Sequence, residues 1–167
     1  PCGTYFTYTQ DTVWNVYKTR LSDGIAGREH TLENGVIVVL LSDSTAQVSG
    51  HTEEISGVIE IPSSVKLQSS TNSCTHDYAI ISVKTSAMRE TASITGVKLN
   101  EGLQTIGASA FYKCTNLGGE ISIPSTVTQI GNYAFALCGN FSRIAFNNGT
   151  NDLTIGLSAF SSSESNS

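Results

Sequence analysis

The sequence predicts a β-rich solenoid built from short strands and turns. Three observations carry that expectation. The chain matches itself at an offset of 24: Val97-Lys98-Leu99 falls on Ile121-Ser122-Ile123, Ile106-Gly107 on Ile130-Gly131, Ala110-Phe111 on Ala134-Phe135, and Cys114 on Cys138. Each matched segment opens on apolar-polar-apolar alternation, the period of a strand with one buried face. Each then carries a glycine (Gly107, Gly131, Gly156) and an Ala-Phe pair, a small and a large side chain suited to stacking in layers. A period of 23 to 25 residues with fixed apolar spacing marks a solenoid in which every coil is one repeat.

Residues 1–55 match no repeat and are expected to form a β-rich cap. Within them Val36 to Leu41 and Ala46 to Val48 read as two strands joined by the turn Ser42-Asp43-Ser44. The repeats occupy 56–160, about 3.5 to 4 coils of 23–25 residues. The first coil is degraded: its strand lies in Gly57 to Val65, and Lys84, Met88 and Thr91 stand where later coils have Gly, Phe and Cys. Between its two parts, Leu67 to Tyr78 is loop-like and joins two strands, the second ending in Tyr78 to Val83. In the third complete copy, Ile144-Ala145-Phe146 supplies the strand and Ile155-Gly156 and Ala159-Phe160 the rest. The glycines are read as turn positions that use glycine's permissive backbone. The last seven residues, 161–167, form a Ser-rich tail or linker. One coil offers too few interior side chains to offset the ordering of its backbone. Neighbouring coils must therefore supply hydrogen bonds and seal each other's faces.

Composition narrows the function. Of the chain's 167 residues, 14% are charged, against a usual figure of about 25%, while serine and threonine number 42. That describes a polar, weakly charged surface, with Thr95, Thr105, Ser122, Thr128 and Thr154 at outward positions. A net charge of −5 lacks the electrostatic footprint that phosphate binding needs, so nucleic acid is not an expected partner. The longest apolar run, Val36 to Leu41, is far short of the roughly 20 residues a transmembrane helix needs.

The stretch Ile123-Pro124-Ser125-Thr126-Val127-Thr128-Gln129-Ile130-Gly131-Asn132-Tyr133-Ala134-Phe135-Ala136-Leu137-Cys138 resembles the BspA-like leucine-rich repeat of bacterial and some protist surface proteins. Asn100 to Cys114 is a looser version with Asn100 in place of the proline. The resemblance implies a leucine-rich-repeat solenoid of the α/β right-handed superhelix class, with a short parallel sheet on one face and mostly loop, turn and 3-10 backbone on the other, exposed at the cell surface or secreted, with a role in binding or adhesion and no catalysis or cofactor.

Candidate sites follow from that architecture. The outward column of the sheet is Glu60, Lys98, Ser122 and Ala145, flanked by Glu120 and Arg143, and forms the candidate partner-binding face. It lacks the Trp, Tyr and Arg clusters of interface hot spots. Tyr5, Phe6, Tyr8, Trp14 and Tyr17 form a candidate aromatic platform for sugar or peptide, or else cover the open end of the solenoid. The repeat core comprises Ile106, Ala110, Phe111, Cys114, Ile130, Ala134, Phe135, Cys138, Ile155, Ala159 and Phe160. Cys114 and Cys138 stack as thiols, because side chains pointing the same way keep Cβ atoms near 4.8 Å, beyond disulfide range. Cys2 pairs with Cys74, anchors a lipid, or stays unpaired. His30, His51 and His76 read as solvent-facing loop histidines and share no metal-binding spacing. No metal site, catalytic residue or cofactor is assigned. The expected partner is an extracellular protein or glycan, and the alternative role is a structural spacer or cap within a larger surface assembly.

Overall fold

The computed structural model describes residues 27–42, 44–68, 75–139, 141–147 and 152–162. Strands and turns make up the regular structure among them, with no helix of any kind. The first three strands are β1 (Glu29–Thr31), β2 (Val36–Leu40) and β3 (Thr45–His51). Strict alternation in β2 buries Val36, Val38 and Leu40, and in β3 it buries Ala46 and Val48. The turn between them is set by Ser42, whose hydroxyl accepts from the N–H groups of Ser44 and Thr45 and lies 2.6 Å from Thr45 Oγ1. Such a hydroxyl supplies the local bonds that a chain reversal leaves unmade.

Each repeat unit then contributes one strand to a first side. These are β4 (Gly57–Ile61), β7 (Ile94–Leu99), β9 (Gly119–Ile123) and β11 (Phe141–Phe146). They pair in parallel as β4 with β7 and β9 with β11, two two-stranded pieces. Pro62 breaks the run Gly57 to Val65, and Ser64 begins a different strand, β5 (Ser64–Gln68), in another sheet. β5 pairs antiparallel with β6 (Thr75–Val83), while β3 pairs in parallel along the other edge of β6. After β6 the same sheet continues through β8 (Thr105–Ile106), β10 (Gln129–Ile130) and β12 (Thr154–Ile155), all parallel. The expectation of a second side made mostly of loop, turn and 3-10 backbone is corrected in its 3-10 part, because no described residue is 3-10 helix. An eight-stranded mixed sheet in the order β1-β2-β3-β6-β8-β10-β12, with β5 on β6, occupies part of it.

The remaining segments, 85–90, 108–113, 132–137 and 157–160, are turns. They are not 3-10 helix because only alternate N–H groups bond within the unit. Ala110 and Tyr112 donate to Gly107 and Ser109 of their own turn, whereas Ser109, Phe111 and Lys113 donate to Asn132, Ala134 and Ala136 of the following unit at 2.7 to 2.9 Å. Aiming successive groups in opposite directions places Ser86, Glu90, Ser109, Lys113, Tyr133, Leu137 and Ser158 at φ between 52 and 61°, a region costing L-residues about 1–2 kcal/mol each. Inter-unit bonds hold the first six of them there, and Ser158 adopts the same conformation with no described acceptor for its N–H. Inside this column Phe111, Phe135 and Phe160 stack nearly parallel, centroids 4.9 and 5.2 Å apart, with Met88 buried in the unit before them.

The repeating glycines do not serve as left-handed turn residues. None of Gly107, Gly131 and Gly156 has positive φ; instead each lies where two backbones meet. A Cβ on Gly107 would fall 2.5 Å from Thr85 N and 2.8 Å from Val83 O. Lys84 takes the same position in the first unit, where the neighbour is β3 and the Val48 carbonyl receives the Lys84 N–H at 2.8 Å. We predict that Gly107→Ala destabilises the fold by about 1–3 kcal/mol in urea unfolding, while Lys84→Ala stays within about 0.5 kcal/mol. A neutral or stabilising Gly107→Ala would contradict the close-approach explanation.

Candidate binding face

Strand register decides which side chains share the outer surface of β4, β7, β9 and β11. Glu60 stands beside Lys98, Glu120 beside Arg143, and Ser122 beside Ala145. The six residues therefore stand on the same side of the strands, divided between the two pieces, with the Gly118 N–H donating to Thr95 O at 3.3 Å across the gap. All are exposed except Ala145, which is half-buried. The four charged residues pair with each other: Lys98 Nζ lies 3.3 Å from Glu60 Oε1 and Arg143 Nη1 3.4 Å from Glu120 Oε1.

A polar network that the sequence alone did not reveal runs along the end of these strands. Asn100 and Asn147 occupy the position that Pro62 and Pro124 hold in other units. Asn100 Nδ2 donates to Glu60 Oε1 (2.8 Å) and to Ile61 O (3.1 Å), and Asn34 Nδ2 reaches Glu60 O at 2.7 Å. Ser122 Oγ donates to Asn147 Oδ1, and Glu101 accepts from both the N–H and the hydroxyl of Ser125. The Asn100 amide, with the Lys98 ammonium beside it, holds the Glu60 carboxyl below its ordinary range. The Ser125 N–H does the same for Glu101. The departure from proline at Asn100 was the visible signal, since an amide there can bridge units where proline cannot.

A cluster of Tyr, Arg and Lys lies on the turn side instead. Arg89 Cζ sits 4.9 Å from the centre of the Tyr112 ring, and Lys113 Nζ lies 5.5 Å from it. Arg89 also pairs with its neighbour Glu90 at 3.3 Å.

The histidines are not loop residues. His30 lies in β1, His76 in β6, and His51 ends β3, half-buried. His51 Nδ1 meets the Thr52 carbonyl at 2.9 Å, so that nitrogen carries the proton and Nε2 accepts from the Thr91 hydroxyl at 2.8 Å. Thr91 stands in the cysteine column, where Cys114 Sγ donates to Met88 O at 2.9 Å and Cys138 Sγ to Phe111 O at 3.0 Å. Both thiols are free, and the adjacent Cys114 thiol together with burial pushes the Cys138 thiol up. Among the described residues no group of three His, Cys, Asp or Glu side chains is placed to hold a metal ion, and no helix is long and apolar enough to cross a membrane. A depression of about 430 Å³ lies beside β4, lined by Thr31, Leu32, Asn34, Thr52, Val58 and others, with Glu33 and Glu54 its only charged residues.

Of the expected core, Ile106, Ala110, Phe111, Cys114, Ile130, Ala134, Phe135 and Ala159 are buried, and Cys138 and Phe160 are half-buried. Ile155 departs from that group at 48% exposure, because no described unit packs beyond it. Tyr5, Phe6, Tyr8, Trp14, Tyr17, Cys2 and Cys74 lie outside the described residues.

A family model described as BspA type leucine-rich repeat region matches residues 59–167 in six copies. Among solved structures, a leucine-rich repeat protein from Bacteroides ovatus aligns with a TM-score of 0.59 at 23% identity, covering 78% of this chain and 32% of that one. The chain thus spans about a third of that protein. A leucine-rich repeat protein from Bacteroides capillosus aligns at 0.54 and 19% identity, covering 77% of this chain and 97% of that one. The pneumococcal vaccine antigen PcpA aligns at 0.51 and 13% identity, covering 82% and 42%. At these identities the likeness shows the fold. No curated protein matches the sequence.

We predict that the Glu60 carboxyl titrates below an ordinary glutamate when followed by carboxyl NMR, and that Asn100→Ala raises its pKa. The depressed pKa fixes the sign: the Glu60 contacts are complete near neutral pH and are lost as pH falls through that value. An unchanged Glu60 titration in Asn100→Ala would contradict the bridging role.

Proposed function

Because the chain belongs to the BspA-type leucine-rich repeat family, we propose that it is a non-catalytic binding module, secreted or displayed on a bacterial cell surface. In this reading the stacked repeats form a solenoid whose outer strand face docks an extracellular protein or glycan. The observation that carries it is the register of that face. Glu60, Lys98, Glu120, Ser122, Arg143 and Ala145 share one side of adjacent parallel strands. Their exposed ion pairs are worth about 0–1 kcal/mol each, so a partner bringing its own charges exchanges them at little cost. Ser122 and Ala145 leave a low area at the β9–β11 end of the face that a protruding group can approach.

Mutual neutralisation of the same charges also favours a second reading, in which the chain is a spacer with no ligand of its own. The two are separated by presenting the chain to arrays of extracellular proteins and glycans. The binding reading expects a ligand whose affinity falls at least tenfold, about 1.4 kcal/mol, in Lys98→Glu, Ser122→Arg or Ala145→Arg. Absence of any ligand, or a ligand indifferent to all three changes, removes the sheet face as its site.

A further inference from the structure

We propose that the free edge of β4, with the depression of about 430 Å³ beside it, is a docking site for an extended, basic peptide segment of a partner protein, bound by strand addition. The site is separate from the six-residue strand face and independent of what that face docks.

This edge lies inside the described chain, with the cap before it and the repeats after it. Leu32, Glu33, Asn34, Thr52 and Glu54 of the cap line the depression together with Val58 and Ile59. The lining is fixed by backbone bonds: the Gly35 N–H donates to Leu32 O and the Thr52 N–H to Gly35 O, both at 2.9 Å. On β4, the Gly57 N–H donates to Ser93 O just before β7. Strand alternation therefore turns the backbone groups of Gly57, Ile59 and Ile61 toward β7 and those of Val58 and Glu60 the other way. The Glu60 carbonyl agrees, since it accepts from Asn34 Nδ2 of the cap at 2.7 Å. Asn34 thus supplies at one point the donor that a neighbouring strand would supply. The N–H and C=O of Val58 are the next pair along the edge, and no described residue bonds to either.

Three features select the occupant. A donor and an acceptor open at one residue of a strand edge match the alternating backbone of an extended peptide, and the pocket beside them can take its side chains. The Val58 side chain is 75% exposed, more than any other large hydrophobic residue described, and its cross-strand neighbour is Gly96. With no side chain at Gly96 to cover it, Val58 is left for an apolar group of the partner. Charge sets the third condition. Glu60, Glu90 and Glu120 each pair with a cation, whereas Glu33 and Glu54 are exposed and no described cation pairs with them. A second copy of this chain would set carboxylates against carboxylates at this edge, so the segment that fits carries lysine or arginine.

The test titrates a short acetylated peptide of alternating valine and lysine into the isotope-labelled full chain. The expected result is amide shifts at Leu32, Asn34 and Val58, and exchange of the Val58 amide slowed about tenfold. Matched peptides with glutamate in place of lysine, or with backbone nitrogens methylated along one edge, are expected not to bind. Glu33→Lys combined with Glu54→Lys is expected to weaken binding at least tenfold at an unchanged melting temperature, because both side chains are exposed. Ser122→Arg and Ala145→Arg, on β9 and β11, are expected to leave it unchanged, which separates this site from the strand face. Absence of shifts at the three residues, or equal binding of either control peptide, overturns the proposal. So does slow exchange of the Val58 amide in the chain alone, whether another part of the chain or a concentration-dependent dimer covers the edge.

Discussion

Ser109, Phe111 and Lys113 give their N–H groups to the following repeat unit, while the residues between them bond within their own turn. Buried donors left unpaired cost about 1–3 kcal/mol each, so a single unit cannot complete its own backbone. The bonds fix the distance between units, and that distance fixes much else. Phe111, Phe135 and Phe160 come into parallel contact at 4.9 and 5.2 Å. Gly107, Gly131 and Gly156 must lack side chains because neighbouring backbones close on them. Cys114 and Cys138 fall where each thiol reaches a carbonyl of the preceding unit. Six of the seven non-glycine residues at positive φ donate their N–H groups to the following unit, which offsets that local strain.

Much of this was legible in the chain, and the rest was hidden for physical reasons. Offsets of 24 residues locate the strands and the Ala-Phe column, since the same side chains recur wherever the same layer is built. The hairpin of β2 and β3 follows from Val36, Val38 and Leu40 alternating toward the core. The left-handed positions were invisible because Ser109, Lys113, Tyr133 and Leu137 are ordinary L-residues whose conformation comes from bonds to another unit rather than from local preference. The glycines invited the opposite error: they suggested left-handed turns, whereas their requirement is steric and comes from the unit beside them. A two-residue strand such as Thr105–Ile106 leaves too little alternation to detect, so the second sheet was missed.

The candidate face shows the same division between local and inter-unit information. Its six residues could be named from repeat spacing alone, because register follows the repeat. The Asn100 and Asn147 bridges to Glu60, Ser122 and Glu101 could not, since they join side chains 25 to 46 residues apart in sequence. Low overall charge acquires a meaning here as well. The charged groups on this face are neutralised pairwise across adjacent strands, so the face projects no strong field.

Native-state hydrogen exchange tests the interdependence of units most directly. The amides of Met88, Phe111 and Phe135 each donate to the unit that follows. If the stack is one cooperative structure, their exchange free energies match the global unfolding free energy and fall together with added denaturant. Exchange of any of the three through a local opening that is insensitive to denaturant, while the other two stay protected, would show that the units stand without one another and would contradict the account.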